Sequence, residues 1–284
     1  MFDIISKTGK KWFFSNIKKQ NRLLEAGKKK KGNAMSNSNV YEILFRQWAS
    51  VAKLVVDGKR DPAKVSKSLQ EIINETVGPY DRARLILGKD FIPAEEISQN
   101  RGVSYSNEQL VMFAGSLPVK DELMWLRNND YMLVAGPPAQ MSLLEIRDIK
   151  PGYFYTKTGG WYSGEKEKFS RDEKVLVAWL GLRKKPVPDS ISRDWDNQNL
   201  LLTKAERTPN SAETAWGITT YKAVRDIYLL NSVYVRTSSV VSVGGRVYLG
   251  DFGPPGFGVN DCWDGLCDSS LGLASARIFN PSNP

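Results

Sequence analysis

Apolar and polar positions alternate with two different periods along the chain. Between residues 38 and 76, Ile43, Leu44, Trp48, Val51, Ala52, Leu54 and Val55 recur at near-helical spacing, the pattern of an amphipathic helix. Gly58 ends that helix and Asp61-Pro62 opens another, since an aspartate can accept from the free amides of a first turn and a proline there has no hydrogen bond to lose. Residues 38–76 therefore read as a helical hairpin, whose apolar stripe is expected to be intramolecular core. Over 80–150 the pieces are short: "SNEQLVMFAGSLP", "KDELMWLRNN" and "SLLEIRDI" predict helices, and "YMLVAGPP" a strand ended by Gly-Pro-Pro, together a mixed shoulder. After Pro151 the texture becomes aromatic and β-branched. "GYFYTKTGGWYS" reads as a hairpin and "KVLVAWLGL" as a buried strand. "TPNSAETAWGITTYKAVRDIYL" predicts one clear helix at about 210–226, capped by Asn210 or Ser211 with Glu213 or Thr214 in its first turn. Beyond it short strands alternate with glycine turns to the end, so residues 151–280 are expected to form an α+β domain preceded by a helical N-terminal region.

Composition narrows the class. The 284 residues are 41% hydrophobic and 25% charged, enough to bury a core without disulfides or metals. No apolar run reaches the roughly 18–20 residues that span a bilayer, and the first residues lack the long apolar core and small-residue cleavage site of a secretory signal. The expected location is cytoplasmic, with Cys262 and Cys267 as reduced thiols. The net charge is +9, but residues 1–34 hold ten Lys/Arg against Asp3 and Glu25, and the remainder is almost neutral. Basic residues confined to a tail do not make the charged face of a nucleic-acid domain. Residues 1–37 read as a basic, disordered tail, with a phosphate- or membrane-binding arm using Phe2, Ile4, Ile5, Trp12, Phe13 and Phe14 as the functional option. Met35 is an alternative start, which would leave the rest with a charge near +1.

Candidate chemistry is sparse. The chain has no histidine, which removes the imidazole base, the Ser-His-Asp triad and the commonest metal ligand. A zinc site from Cys262, Cys267 and Asp261, Asp264 or Asp268 would be carboxylate-heavy and unusual. "GDFGPPGFG" and "KTGGWYSG" have glycines without the Lys-Ser/Thr of a phosphate loop. No catalytic residue, metal or cofactor is expected.

"RTPNSAETAW" at 207–216 resembles the "R-L-P-T-x-A-E-W-E" motif of the formylglycine-generating/sulfatase-modifying superfamily, which has a C-type-lectin-like fold. "LGLASARIF" resembles that fold's closing strand, and "VYVRTSS" a strand ending in Ser-Ser. The resemblance covers Gly152 to Phe279. Cys262 and Cys267 have the four-residue spacing of the cysteine pair in the oxidases of this superfamily, but Asp261, Asp264 and Asp268 flank them, and nearby carboxylates disfavour a thiolate. The chain is more similar to the variable proteins of diversity-generating retroelements. That likeness implies a protein or other macromolecular ligand held on a C-terminal surface rewritten by adenine-targeted mutagenesis. It also implies a reverse-transcriptase gene nearby and a near-copy of the segment encoding 240–279. The implied ligand-facing residues are Tyr248, Asp251, Phe252, Asn260, Asp261, Trp263 and Asp264, while Gly250, Gly272 and Arg277 are implied to hold the fold. In this reading the cysteines of "CWDGLC" are incidental. The alternatives are a formylglycine-generating-type oxidase using Cys262/Cys267, and a nucleic-acid binder acting through the basic tail. Phe252, Phe257 and Trp263 fit core positions equally well, and the acids fit solvated turns. The sugar-binding Glu-Pro-Asn and Trp-Asn-Asp signatures of calcium lectins are absent, so no calcium is expected.

Overall fold

The computed structural model describes residues 38–76 and 78–279, in two compact units that divide at Ile72–Ile73. The basic tail lies outside the described residues. In the first unit, α1 (Ser38–Val56) and α2 (Pro62–Thr76) are joined by a short turn, and the Asp61 carboxylate accepts from the Ala63 amide at 2.8 Å, completing the N-terminal cap. Trp48 is 55% exposed and Val51 and Leu54 are also open. No helix among the described residues is long and apolar enough to cross a membrane.

The second unit is an α+β structure. It begins with α3 (Pro79–Leu87), β1 (Phe91–Ile92), α4 (Ala94–Arg101), α5 (Asn107–Gly115), α6 (Lys120–Asn128) and β2 (Tyr131–Ala135). It continues through β3 (Met141–Ser142), α7 (Leu143–Ile149), α8 (Phe169–Asp172), β4 (Lys174–Val175), β5 (Trp179–Arg183), α9 (Trp195–Asn199) and β6 (Glu206–Arg207). The last part is α10 (Ser211–Arg225), β7 (Tyr234–Val240), β8 (Arg246–Gly253), β9 (Gly256–Cys262), β10 (Leu271–Leu273) and β11 (Ala276–Arg277). Helices α5 and α7 start at Ser106 and Ser142, each with a reciprocal capping box.

A five-stranded sheet runs β1-β2-β5-β11-β6. Its strand β2 is buried at all five positions and pairs antiparallel with β5 from Tyr131↔Arg183 to Ala135↔Trp179. The mixed shoulder expected at 80–150 supplies two strands, β1 and β2, to the sheet that the C-terminal β11 enters. An unbroken apolar run has no solvent face and must be covered on both sides. Arg277 ties β11 to α6 through a bidentate bond to Glu122, both contacts 2.9 Å, and its guanidinium lies 4.1 Å from the Trp125 ring centroid.

Helix α10 packs on β5 of this sheet and on β7 and β8 of a second, four-stranded sheet ordered β10-β7-β8-β9. Its start explains "RTPNSAE". The Asn210 side chain accepts from the Glu213 amide at 2.8 Å, Glu213 accepts from the Asn210 amide at 2.9 Å, and Arg207 grips both Glu213 oxygens at 2.6 and 2.7 Å. On the inner side of the second sheet Val235, Val247, Leu249 and Val259 are buried against the core. Cross-strand register places Tyr234, Arg236, Tyr248, Asn260 and Cys262 together on the outer side.

"GYFYTKTGGWYS" is not a hairpin. It forms two 3-10 turns, Pro151–Tyr153 and Trp161–Ser163, and its backbone is held by side chains and one isolated bridge, Phe154↔Phe257, instead of a hairpin ladder. Arg147 donates to the Gly159 carbonyl at 2.7 Å and to Ser163 Oγ at 2.8 Å. The Trp161 indole donates to the Val259 carbonyl at 2.9 Å, and the Tyr155 amide to the Phe257 carbonyl at 3.0 Å. These bonds lay the loop along β9.

Candidate functional site

The outer face of the second sheet divides into a closed half and an open half. In the closed half Arg236 is fully buried. Its guanidinium donates to Cys262 Sγ at 3.3 Å, to the Arg193 carbonyl at 2.9 Å, to Gln198 Oε1 at 3.0 Å and to the Leu266 carbonyl. The "CWDGLC" loop is therefore folded over a buried cation that satisfies its backbone. Cys262 is an interior acceptor, its thiol pushed up by burial with the Arg236 hydrogen bond pulling the other way. Cys267 is exposed, and both cysteines are free. Trp263 is 67% exposed. Asp264 pairs with Arg246 at 3.1 Å, and that guanidinium lies 4.2 Å from the Trp195 ring centroid.

The open half contains a cleft of about 560 Å³. One wall is Tyr155, Thr156 and Trp161 from the 152–163 loop, and the other is Asn231 and Tyr234. The floor is the β8–β9 hairpin, with Asp251, the Gly253-Pro254-Pro255-Gly256 turn and Asn260. Gly256 makes the wall possible: a Cβ there would lie 2.5 Å from the Phe154 carbonyl carbon, and its φ is +115°, a combination only glycine tolerates. Gly250 does the same across the sheet, where a Cβ would stand 2.2 Å from the Val233 carbonyl oxygen. Asp251 is exposed with φ +47°, held there by its amide bond to the Val233 carbonyl at 2.9 Å. Tyr234 donates to its carboxylate at a long 3.4 Å and packs edge-on against Tyr248 at 5.2 Å. Burial first and the Asp251 charge second push the Tyr234 phenol upward.

The residues singled out from sequence are dispersed by this geometry. Asp251 and Asn260 line the cleft, and half-buried Tyr248 stands beside it as cross-strand partner of Asn260. Asp261, paired with Val247 within β9, and Trp263, just past the strand end, are exposed, while Asp264 is half-buried in its ion pair. Phe252 is a correction. It is fully buried, packed edge-on against Tyr153, Tyr228 and Phe257, because a register shift between Gly250 and Gly253 turns Asp251 outward and Phe252 inward. Sequence reasoning missed Tyr155, Trp161, Asn231 and Tyr234; the signal for the first two was an aromatic run with Gly159-Gly160 that is too polar for a buried strand. Among the described residues no group of three or more Cys, Asp or Glu side chains comes together as metal ligands. Comparison with protein-family models, curated protein sequences and solved structures gave no match.

Proposed function

We propose that this is a ligand-binding display protein without chemistry of its own, built on a C-type-lectin-like scaffold of the kind used by variable proteins of diversity-generating retroelements. Its binding face is the cleft and rim formed by residues 248–264 together with the 152–163 loop. One observation carries the reading: the side chains exposed on this face are not the ones that hold it. The β8–β9 ladder, the close approaches at Gly250 and Gly256, the buried aromatic group around Phe252 and the Arg236 hydrogen bonds set the backbone. Asn260, Asp261 and Trp263 can then be exchanged without loss of shape, and Asp251 for a residue such as asparagine that tolerates its positive φ. The oxidase alternative asks Cys262 to bind a cation at a sulfur already facing the Arg236 guanidinium, a juxtaposition that Coulomb repulsion opposes.

Thermal melts of single variants test this. Asp251→Asn, Asn260→Ala, Asp261→Ala and Trp263→Ala are each expected to stay within about 0.5 kcal/mol of the parent, as surface changes do. Phe252→Ala is expected to lose about 3–5 kcal/mol. Losses of about 2 kcal/mol or more in several rim variants would make those residues core and end the assignment of this face.

A further inference from the structure

The cleft has a chemical bias that its place in the fold does not require. Asp251 is the one charged residue among those lining it, in a chain with 40 Lys/Arg against 31 Asp/Glu. The same cleft is lined by the aromatic side chains of Tyr155, Trp161 and Tyr234, of which Tyr234 reaches the Asp251 carboxylate. Aromatic faces attract cations through their quadrupole, most strongly when water is excluded. Trp161 is held by its indole bond to Val259 and Tyr234 by its packing on Tyr248, so both rings are fixed before a ligand arrives, which lowers the ordering cost of binding. The second cleft, about 410 Å³, has the opposite character, being lined by Lys89, Lys184 and Lys185 with Asp130.

Asp251 adds a separate observation. It is a non-glycine residue at φ +47°, a conformation that costs energy and that persists where the surroundings impose it, often at ligand sites. Aspartate is among the few side chains that tolerate that backbone, and here it adds a carboxylate to a cleft also lined by aromatic rings. The single long hydrogen bond it accepts from Tyr234 leaves acceptor capacity for a ligand.

Building on the reading of this cleft as a binding site, we infer that it takes a cationic side chain, lysine or arginine, presented by a basic segment of a partner protein. The head group meets Asp251 and the ring faces, and the aliphatic stem lies on Pro254 and Pro255, as long cationic side chains do on apolar surface. The Asn231 and Asn260 amides are placed for the backbone on either side. The cleft volume of about 560 Å³ is far larger than an isolated ammonium needs and lies within the range of sites for larger ligands, which selects a peptide over a small quaternary amine.

The test is an NMR titration of the full chain, read at the Trp161 indole N–H. The probes are acetyl-Gly-Lys-Gly-amide, its arginine and glutamate counterparts, and tetramethylammonium chloride. The lysine or arginine peptide is expected to shift the Trp161 resonance saturably, and the glutamate peptide is expected not to. Asp251→Asn should weaken binding at least tenfold and Tyr155→Ala about threefold, whereas Asp261→Asn, exposed outside the cleft, should leave it unchanged. Equal response to the lysine and glutamate peptides, or lysine binding undiminished in a folded Asp251→Asn protein, overturns the proposal. So does absence of any response, and so does tetramethylammonium binding as tightly as the peptides, which would make the occupant a small cation. Failure here with rim variants that still melt like the parent would refute the cation and leave the display face standing.

Discussion

Arg236 organises the C-terminal loop, and the two cysteines report on it. Cys267 is exposed, while Cys262 is buried beneath the loop with its thiol pushed up by burial. A chromogenic disulfide reagent added to native protein should therefore release one thiol quickly and the second only on unfolding. Arg236→Leu strands the Leu266 and Arg193 carbonyls and Gln198, and should cost about 3 kcal/mol while exposing Cys262 to the reagent. Two thiols reacting at one rate in the native protein would contradict the buried arrangement. The sign of the pH effect follows: an unfolded cysteine ionises near ~8.5, so the contribution of Cys262 to stability is complete below that pH and is lost as pH rises through its higher folded value. At this scale the sequence identified Asp251, Asn260 and Trp263 as surface residues, but it could not separate Asp251 from Phe252. Their faces are decided by the irregularity between Gly250 and Gly253, and a one-residue shift in a strand reverses every side chain after it.

Elements with local signals were legible, and those held by distant partners were not. Helix α10 begins at Asn210 because "PNSAE" encodes both halves of a capping box, and α7 begins at Ser142 for the same reason. The 152–163 loop has no local rule, because its shape depends on Arg147, on Val259 and on the Phe257 carbonyl. The α7 cap gives a test with a defined pH window. The Glu145 carboxyl is held down at about 2, first by the hydrogen bond from the Lys174 ammonium and then by the Ser142 amide and hydroxyl. A depressed carboxylate contributes fully above its unfolded pKa of ~4.3 and loses that contribution as pH falls toward the folded value. Because the ion pair is solvent-screened, Glu145→Gln should cost only about 0.5–1 kcal/mol at pH 7. Urea midpoints of parent and variant should draw together from pH 5 downward and meet only near pH 2. A gap that stays constant over that range would show that the charge plays no part in the cap.

Across the whole molecule, the feature least visible in the sequence is that β2, from the segment read as a mixed shoulder, and β11, at the far end, both join β5. Pairing between strands so distant in the chain leaves no periodic mark. Net charge is likewise no guide to this cleft, since the excess of Lys/Arg lies in residues 1–34 while Asp251 is the one charged residue lining the cleft. Amide hydrogen exchange of the full chain, with and without a saturating basic peptide, locates the binding face most directly. A ligand seated in the cleft should slow exchange in residues 153–161 and 251–260 and leave helix 211–225 unchanged. Protection confined to residues 184–186 and 221–230, where the lysine-lined cleft lies, or no change anywhere, would contradict a binding face built from the β8–β9 hairpin.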